Sequence, residues 1–198
     1  MIVKGILPVV GICTVVVIAI GVLGSAFTGR RSHAQDGKYL VPVRYLGQWH
    51  DLRDFVQPDN PDILAVYAEI GPSLRECLDF VCRHVTYTSD LGEMWQFPSE
   101  TLSRARGDCE DSTFLFVSLA RIFDPQVWVV LGSYQGYGHA WASKGSTIFE
   151  TTYTSARPVP DPEAYEPMAM FNDTDVIELW PGALEEVFGL QRRRAAHV

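Results

Sequence analysis

The sequence predicts one mixed helix-and-strand domain behind an apolar N-terminal segment, and three observations carry that expectation. Residues 60–123 hold three stretches with apolar side chains at helical spacing. Residues 127–152 hold three short strand-like runs parted by glycine-containing turns. Ahead of both, no charged residue occurs from Gly5 to Gly29. At 198 residues the chain suffices for one domain with a real core, and no internal repeat or second domain is visible.

The elements follow in chain order. Ile6–Phe27 is nearly all Val, Ile, Leu, Ala and Gly. About 20 such residues span the hydrocarbon core, so the run reads as a transmembrane helix. Lys4 and Gly24-Ser25-Ala26 also suit a cleavable signal peptide, but the run exceeds the roughly 7–15 residues of a signal core, which favours retention. Cys13 follows Ile12, where a lipidated cysteine would need a small residue, and reads as apolar filling. Arg30, Arg31, Lys38 and Arg44 follow the run, and the positive-inside tendency would keep the domain in the cytoplasm. The short leading tail with its signal-like run argues for export, and an extracytoplasmic domain is the expectation. Segments 1–29 (anchor or signal), 30–37 (polar linker), 38–190 (domain) and 191–198 (basic tail) divide the chain.

Within the domain, Val41–Trp49 reads as an early strand or loop. Asn60-Pro61 opens a helix to about Ile70, with Ile63, Leu64, Val66 and Tyr67 on its apolar side. Gly71-Pro72 ends it. Ser73 and Glu76 have capping-box spacing before a second helix, where Leu74, Leu78, Val81 and Val85 share a face. Thr86–Glu100 reads as an ordered loop. Cys109 to about Phe123 is apolar on most sides, which predicts a helix at the centre of the domain, and Asp124-Pro125 stops it. Val127–Leu131, His139–Ser143 and Thr147–Thr152 read as strands, with Gly132–Gly138 as a turn-rich connection and Lys144-Gly145-Ser146 as a tight turn. Pro158–Pro162 is a crossing loop, and Val176–Leu179 a further strand.

Charge narrows the function classes. Only Lys4, Arg30 and Arg31 precede residue 36, so residues 36–198 hold 13 of the 16 basic residues and all 24 acidic ones, a net charge of −11. That balance argues against nucleic acid, which selects basic surfaces. Arg192-Arg193-Arg194 is an exception most simply read as a solvated tail, with contact to anionic lipid as the alternative. Cys77 and Cys82 lie five apart in a predicted helix, a poor disulfide separation and not a zinc spacing, so both read as core.

Cys109 stands in Gly107-Asp108-Cys109-Glu110-Asp111, at the opening of the buried helix. Amide hydrogens and the dipole at a helix N-terminus favour a thiolate there, and the Cys109 amide could form half of an oxyanion hole. Glu110 and Asp111 would oppose a thiolate if they faced it; as acids in a first turn they are expected to stabilise the helix start. Alone, a cysteine is most often an inert core residue. His139, in Gly138-His139-Ala140-Trp141, opens the next strand but one, with Trp141 on its face. Glu150 ends the strand after that. Eleven residues separate His139 from Glu150, so a hairpin through Lys144-Gly145-Ser146 sets them opposite each other. A thiol, an imidazole base and a carboxylate to orient it are the parts of a cysteine nucleophile.

Gly-Asp-Cys-Glu-Asp, Gly-His-Ala-Trp and Glu-Thr-Thr, with the lead-in Tyr87, Ser89-Asp90, Trp95, Pro98 and Glu100-Thr101-Leu102, resemble the transglutaminase-like cysteine peptidase superfamily. The likeness covers roughly Pro61 to Thr152, and more weakly Tyr165–Phe171. It implies a papain-like α+β fold with the nucleophile helix packed on an antiparallel sheet. It also implies a catalytic triad on Cys109, His139 and Glu150, with glutamate where the family often has aspartate. Trp95 and Gln96 are candidates for the second oxyanion donor; their structural alternatives are core and loop surface. The expected function is a membrane-anchored thiol enzyme cleaving amide bonds of a protein or peptide through a thioester. The alternatives are acyl transfer to an amine, a non-catalytic binding module, and a redox-sensing thiol. No metal or organic cofactor is called for.

Overall fold

The computed structural model describes residues 33–45, 47–89 and 94–195. The predicted span at Ile6–Phe27 and Cys13 lie outside the described residues. Among the described residues, no helix is long and apolar enough to cross a membrane.

The chain opens with a small antiparallel sheet of β1 (His33–Gln35), β2 (Lys38–Val41) and β3 (His50–Asp51). Arg44 fastens the segment after β2 to the body. Its guanidinium donates to both Glu100 oxygens at 2.7 and 2.9 Å and to the Trp95 carbonyl at 2.7 Å. Helix α1 (Pro61–Ile70) starts at the predicted Asn60 cap, whose side chain accepts from the Asp62 amide. Helix α2 (Leu74–His84) starts at Ser73, whose hydroxyl accepts from the Glu76 amide. The stretch predicted as a loop is more structured than expected. It begins with β4 (Thr86–Tyr87) and ends in helix α3 (Pro98–Arg104), with proline in the first turn and Glu100 accepting from the Phe97 amide at 2.7 Å. Strand β5 (Arg106–Gly107) pairs in parallel with β4.

Helix α4 (Cys109–Arg121) forms the centre, with every residue from Cys109 to Ala120 buried. It packs on α1, α2 and α3 and on the main sheet. That sheet is antiparallel, in the order β10–β9–β6–β7–β8: β6 is Trp128–Tyr134, β7 Tyr137–Lys144, β8 Thr147–Phe149, β9 Tyr165–Phe171 and β10 Val176–Glu178. The expected connection over Gly132–Gly138 is a two-residue turn instead. β6 and β7 pair as far as Tyr134 and Tyr137, and Gln135 and Gly136 both take positive φ (52° and 83°), the backbone that a tight hairpin demands. A last helix, α5 (Ala183–Ala195), packs Ala183, Leu184, Val187 and Phe188 into the core. Arg192–Arg194, expected in a solvated tail, lie on its final turns.

The two faces of the sheet carry different cores. Val129, Leu131, Ala140 and Ala142 join the main core with α4, while Val130, Trp141 and Tyr165 form a smaller cluster. Gly132 has no room for a side chain: a Cβ there would lie 2.1 Å from the Glu166 carbonyl oxygen and 2.8 Å from the Trp141 ring. Gly132→Ala is therefore expected to push β9 off β6 and cost about 2–3 kcal/mol, read as a lowered urea midpoint at unchanged slope.

Candidate active site

The nucleophile candidate is positioned by Gly107 and Asp111. A Cβ on Gly107 would lie 2.6 Å from the Asp111 Cβ, so the strand leading to Cys109 approaches α4 more closely than any other residue allows. Asp111 accepts from the Gln96 amide at 2.7 Å and from the Gln96 side chain at 2.5 Å. Gln96 is thus buried and held by α4 and by the Arg106 carbonyl, not a loop-surface residue. Trp95 is fully buried among Phe55, Phe114 and Phe188, the core role.

The other two predicted residues meet. His139 Nε2 and Glu150 Oε2 are 2.8 Å apart, and both residues are buried. The hairpin register explains it: Ala142 faces Phe149 across β7 and β8, so Glu150, one residue past β8, falls on the face that carries His139 and Trp141. The Trp141 ring stacks beside the imidazole, with centroids 6.1 Å apart. The remaining oxygen positions of Glu150 are filled by the Thr152 amide and hydroxyl on Oε1 (2.9 and 2.7 Å) and the Tyr165 hydroxyl on Oε2 (2.8 Å). Burial alone would raise this carboxyl, but the bond to His139, its charge and the Thr152 donors outweigh it and hold the group at about 2.

Helix α4 and this hairpin are joined by hydroxyls. Thr151 Oγ1 lies 2.8 Å from Ser112 Oγ and 3.1 Å from Thr113 Oγ1, one turn into the helix. At the helix start, the Ala140 amide donates to the Cys109 sulfur, so the thiol rests against the backbone of the residue after His139.

The state of the thiol differs from the expectation. Cys109 is 1% exposed and donates to Glu110 Oε2 at 3.1 Å. Burial pushes it well above the ordinary thiol range, and the Glu110 and Asp108 carboxylates push further, against a smaller opposite pull from the Ala140 amide. The helix N-terminus therefore does not yield a thiolate here. Burial is the larger reason, and Glu110, which turns toward the sulfur rather than merely completing the first turn, adds to it. Cys77 and Cys82 are core thiols as expected, raised by burial to about 11 and about 12.

A cleft of about 430 Å³ opens beside the imidazole, walled by Tyr87, Tyr134, Tyr137, Tyr153 and Tyr165. Sequence reasoning missed this wall and the third partner of Glu150. Tyr165 lies beyond the three strand-like runs, and its approach to Glu150 depends on β9 pairing with β6, with Tyr165 opposite Tyr134. The one hint was the weak resemblance over Tyr165–Phe171.

No family model matches the chain, and no curated protein does. Solved structures do resemble it. LapG of Legionella pneumophila is similar at 13% identity and a TM-score of 0.49, over 68% of this chain and 86% of LapG. Its calcium-bound form is similar at 15% identity and a TM-score of 0.47, over 70% and 94% of the two chains. A Cytophaga hutchinsonii protein, provisionally named a cysteine protease, is similar at 21% identity and a TM-score of 0.47, over 60% of this chain and 44% of that one. Likenesses this distant leave the chemistry to be read from the side chains.

Two outcomes follow from the site. In the ligand-free protein, Cys109 is expected to react with iodoacetamide at pH 8 at least about tenfold more slowly than an unhindered thiol, and Glu110→Gln is expected to speed it. Peptide mass spectrometry reads both, with Cys77 and Cys82 as internal references; a fast reaction well below pH 8 would refute the protonated, buried state. Glu150, held at about 2 against an ordinary carboxyl near 4.5, stabilises the fold above its unfolded value. That contribution, about 3 kcal/mol at neutral pH, is lost as pH falls through the range from about 4 to 2. Thermal melts of the unaltered chain and Glu150→Gln are expected to differ at pH 7 and converge near pH 2.

Proposed function

We propose that the protein is a thiol hydrolase of amide bonds, with Cys109 as nucleophile, His139 as acid and base, and Glu150 as the carboxylate that orients the imidazole. One observation carries the reading: the 2.8 Å bond between His139 Nε2 and Glu150 Oε2, on a strand whose next amide reaches the Cys109 sulfur. With Nε2 committed to Glu150, Nδ1 is the nitrogen left for proton transfer. The ionised Glu150 then stabilises the imidazolium that forms.

The reaction runs in two halves. The thiol proton passes to Nδ1 of His139, and the sulfur attacks the carbonyl carbon, moving one electron pair onto the oxygen. The Cys109 amide, at the start of the helix, donates to that oxyanion in this reading. The C–N bond breaks as His139 returns its proton to the departing amine, leaving a thioester. Water then gives a proton to His139 as its oxygen adds to the thioester carbon; the C–S bond breaks, the acid leaves and His139 returns the proton to the sulfur. An amine in place of water would make the same intermediate a transamidation; hydrolysis needs no second binding site. Because the thiol is turned to Glu110 in the ligand-free chain, the reactive pair forms as substrate enters.

We place the domain outside the cytoplasm, tethered by residues 6–27, where it meets protein or peptide substrates at the membrane surface. The second reading, a binding module that keeps the fold without turnover, draws on the burial of the Cys109 thiol.

Incubation with a peptide library made from a proteome, followed by mass spectrometric identification of new N-termini, tests the assignment. Cys109→Ala and His139→Ala are expected to abolish cleavage without unfolding. Glu150→Gln should leave a residue, at least about a hundredfold below the unaltered chain. Full cleavage by Cys109→Ala would remove the hydrolase reading in favour of the binding module. The full chain should stay in the membrane pellet through carbonate washing and a chain lacking residues 1–29 should not; equal behaviour would remove the tether.

A further inference from the structure

The tyrosine cleft beside His139 has a consistent polarity. The Tyr165 hydroxyl donates to Glu150 Oε2 at 2.8 Å, and the Thr152 hydroxyl to Glu150 Oε1 at 2.7 Å. The Tyr134 hydroxyl donates to Asp161 Oδ2 at 2.9 Å. All three residues line the cleft, and each spends its proton on a carboxylate, Glu150 within the lining or Asp161 just outside it. A hydroxyl that donates backward offers only lone pairs forward. Gln135, an amide donor in the lining, turns its Nε2 to the Tyr134 hydroxyl and to Asp161 Oδ2 at 3.1 and 3.4 Å. The cleft therefore presents mainly hydroxyl oxygens and aromatic rings, with the Glu150 and Asp161 carboxylates bonded to them, in a domain of net charge −11 over residues 36–198.

Such a surface selects cations. An ammonium or guanidinium group gains from ring faces, from lone pairs and from the negative field together. An acidic group would meet all three with the wrong sign. The chain already shows the preference: the Arg157 guanidinium sits over the Tyr153 ring, 4.1 Å from its centre. Tyr137, half exposed at the hairpin turn, and Tyr87 leave the cleft open to an entering side chain.

The position of the cleft says which part of a substrate it holds. It opens on the imidazole, whereas the thiol is 1% exposed. The leaving amine takes its proton from the imidazole, so the residue bearing that amine lies over His139. We propose that the tyrosine cleft binds a lysine or arginine side chain on the leaving-group side of the scissile bond. This rests on the hydrolase reading for the word scissile; the selection of a cation rests on the cleft alone.

Two measurements separate the layers. The full chain carrying Cys109→Ala is titrated with Nα-acetyl-lysine amide and with Nα-acetyl-norleucine amide, which differ in the ammonium group, while the tyrosine ring signals are followed by NMR. The lysine probe is expected to bind about tenfold more tightly, the difference shrinking to about threefold in the added presence of Asp161→Asn. Equal binding of the two probes, or tighter binding of Nα-acetyl-glutamate amide, overturns the proposal. In the peptide library, new N-termini are expected to begin with lysine or arginine at least about three times more often than the library average, with the excess reduced in Tyr137→Ala. Cysteine-dependent cleavage without that excess overturns the proposal and leaves the hydrolase standing. Lysine-selective binding without any cleavage supports the cleft and removes the hydrolase.

Discussion

Glu150 is 2% exposed and ionised, and a carboxylate removed from water to that degree costs several kcal/mol unless its oxygens are occupied. Its partners come from different parts of the chain. His139 comes from β7, Tyr165 from the first residue of β9, and Thr152 from the segment just past β8. Satisfying one buried charge therefore fixes the register of β7 with β8 and the placement of β9 beside β6. The next residue, Thr151, bonds Ser112 and Thr113, so the same segment also seats α4 on the sheet. The buried carboxylate is where sheet, central helix and imidazole are brought into register.

That arrangement carries a tension at the other end of the helix. The dipole at the start of α4 favours a negative sulfur, yet burial removes water and Glu110 and Asp108 add negative charge beside it. Desolvation and two carboxylates outweigh a partial charge of about half a unit. The outcome is a stored thiol instead of a standing thiolate. Such a site is expected to react slowly with small electrophiles until something displaces Glu110 or brings the sulfur proton to His139. The imidazole, by contrast, is held in place by Glu150 and flanked by Trp141 before any substrate arrives.

The cleft follows from the same buried charges. Glu150 and Asp161 draw the hydroxyl protons of Tyr165 and Tyr134 inward, so the outer surface is left with oxygens and rings. One set of hydrogen bonds thus sets both the tautomer of the imidazole and the polarity of the wall beside it. The close approach at Gly132, which lets the Trp141 ring and the β9 backbone meet, keeps that wall against the sheet.

The sequence by itself determined the pieces whose signals are local. Helical spacing and the Asn60 and Ser73 caps gave α1 and α2, the run from Cys109 that is apolar on most sides gave the buried helix, and the count from His139 to Glu150 gave the pairing of imidazole and carboxylate, because strand alternation makes such a register arithmetic. It misread Gly132–Gly138 as a long connection, since three glycines look like a loop where Gly132 and Gly138 are strand residues, the first of them required by close packing. It also left α3, β9 and α5 unassigned, because their apolar residues complete a core that other segments define. Only the tertiary structure decided that Glu110 turns to the sulfur, that Gln96 belongs to Asp111, and that Tyr165 closes the carboxylate's shell. Those are contacts whose existence depends on which surfaces meet, and burial, which sets the charge state of every group in the site, is a property of the packed molecule alone.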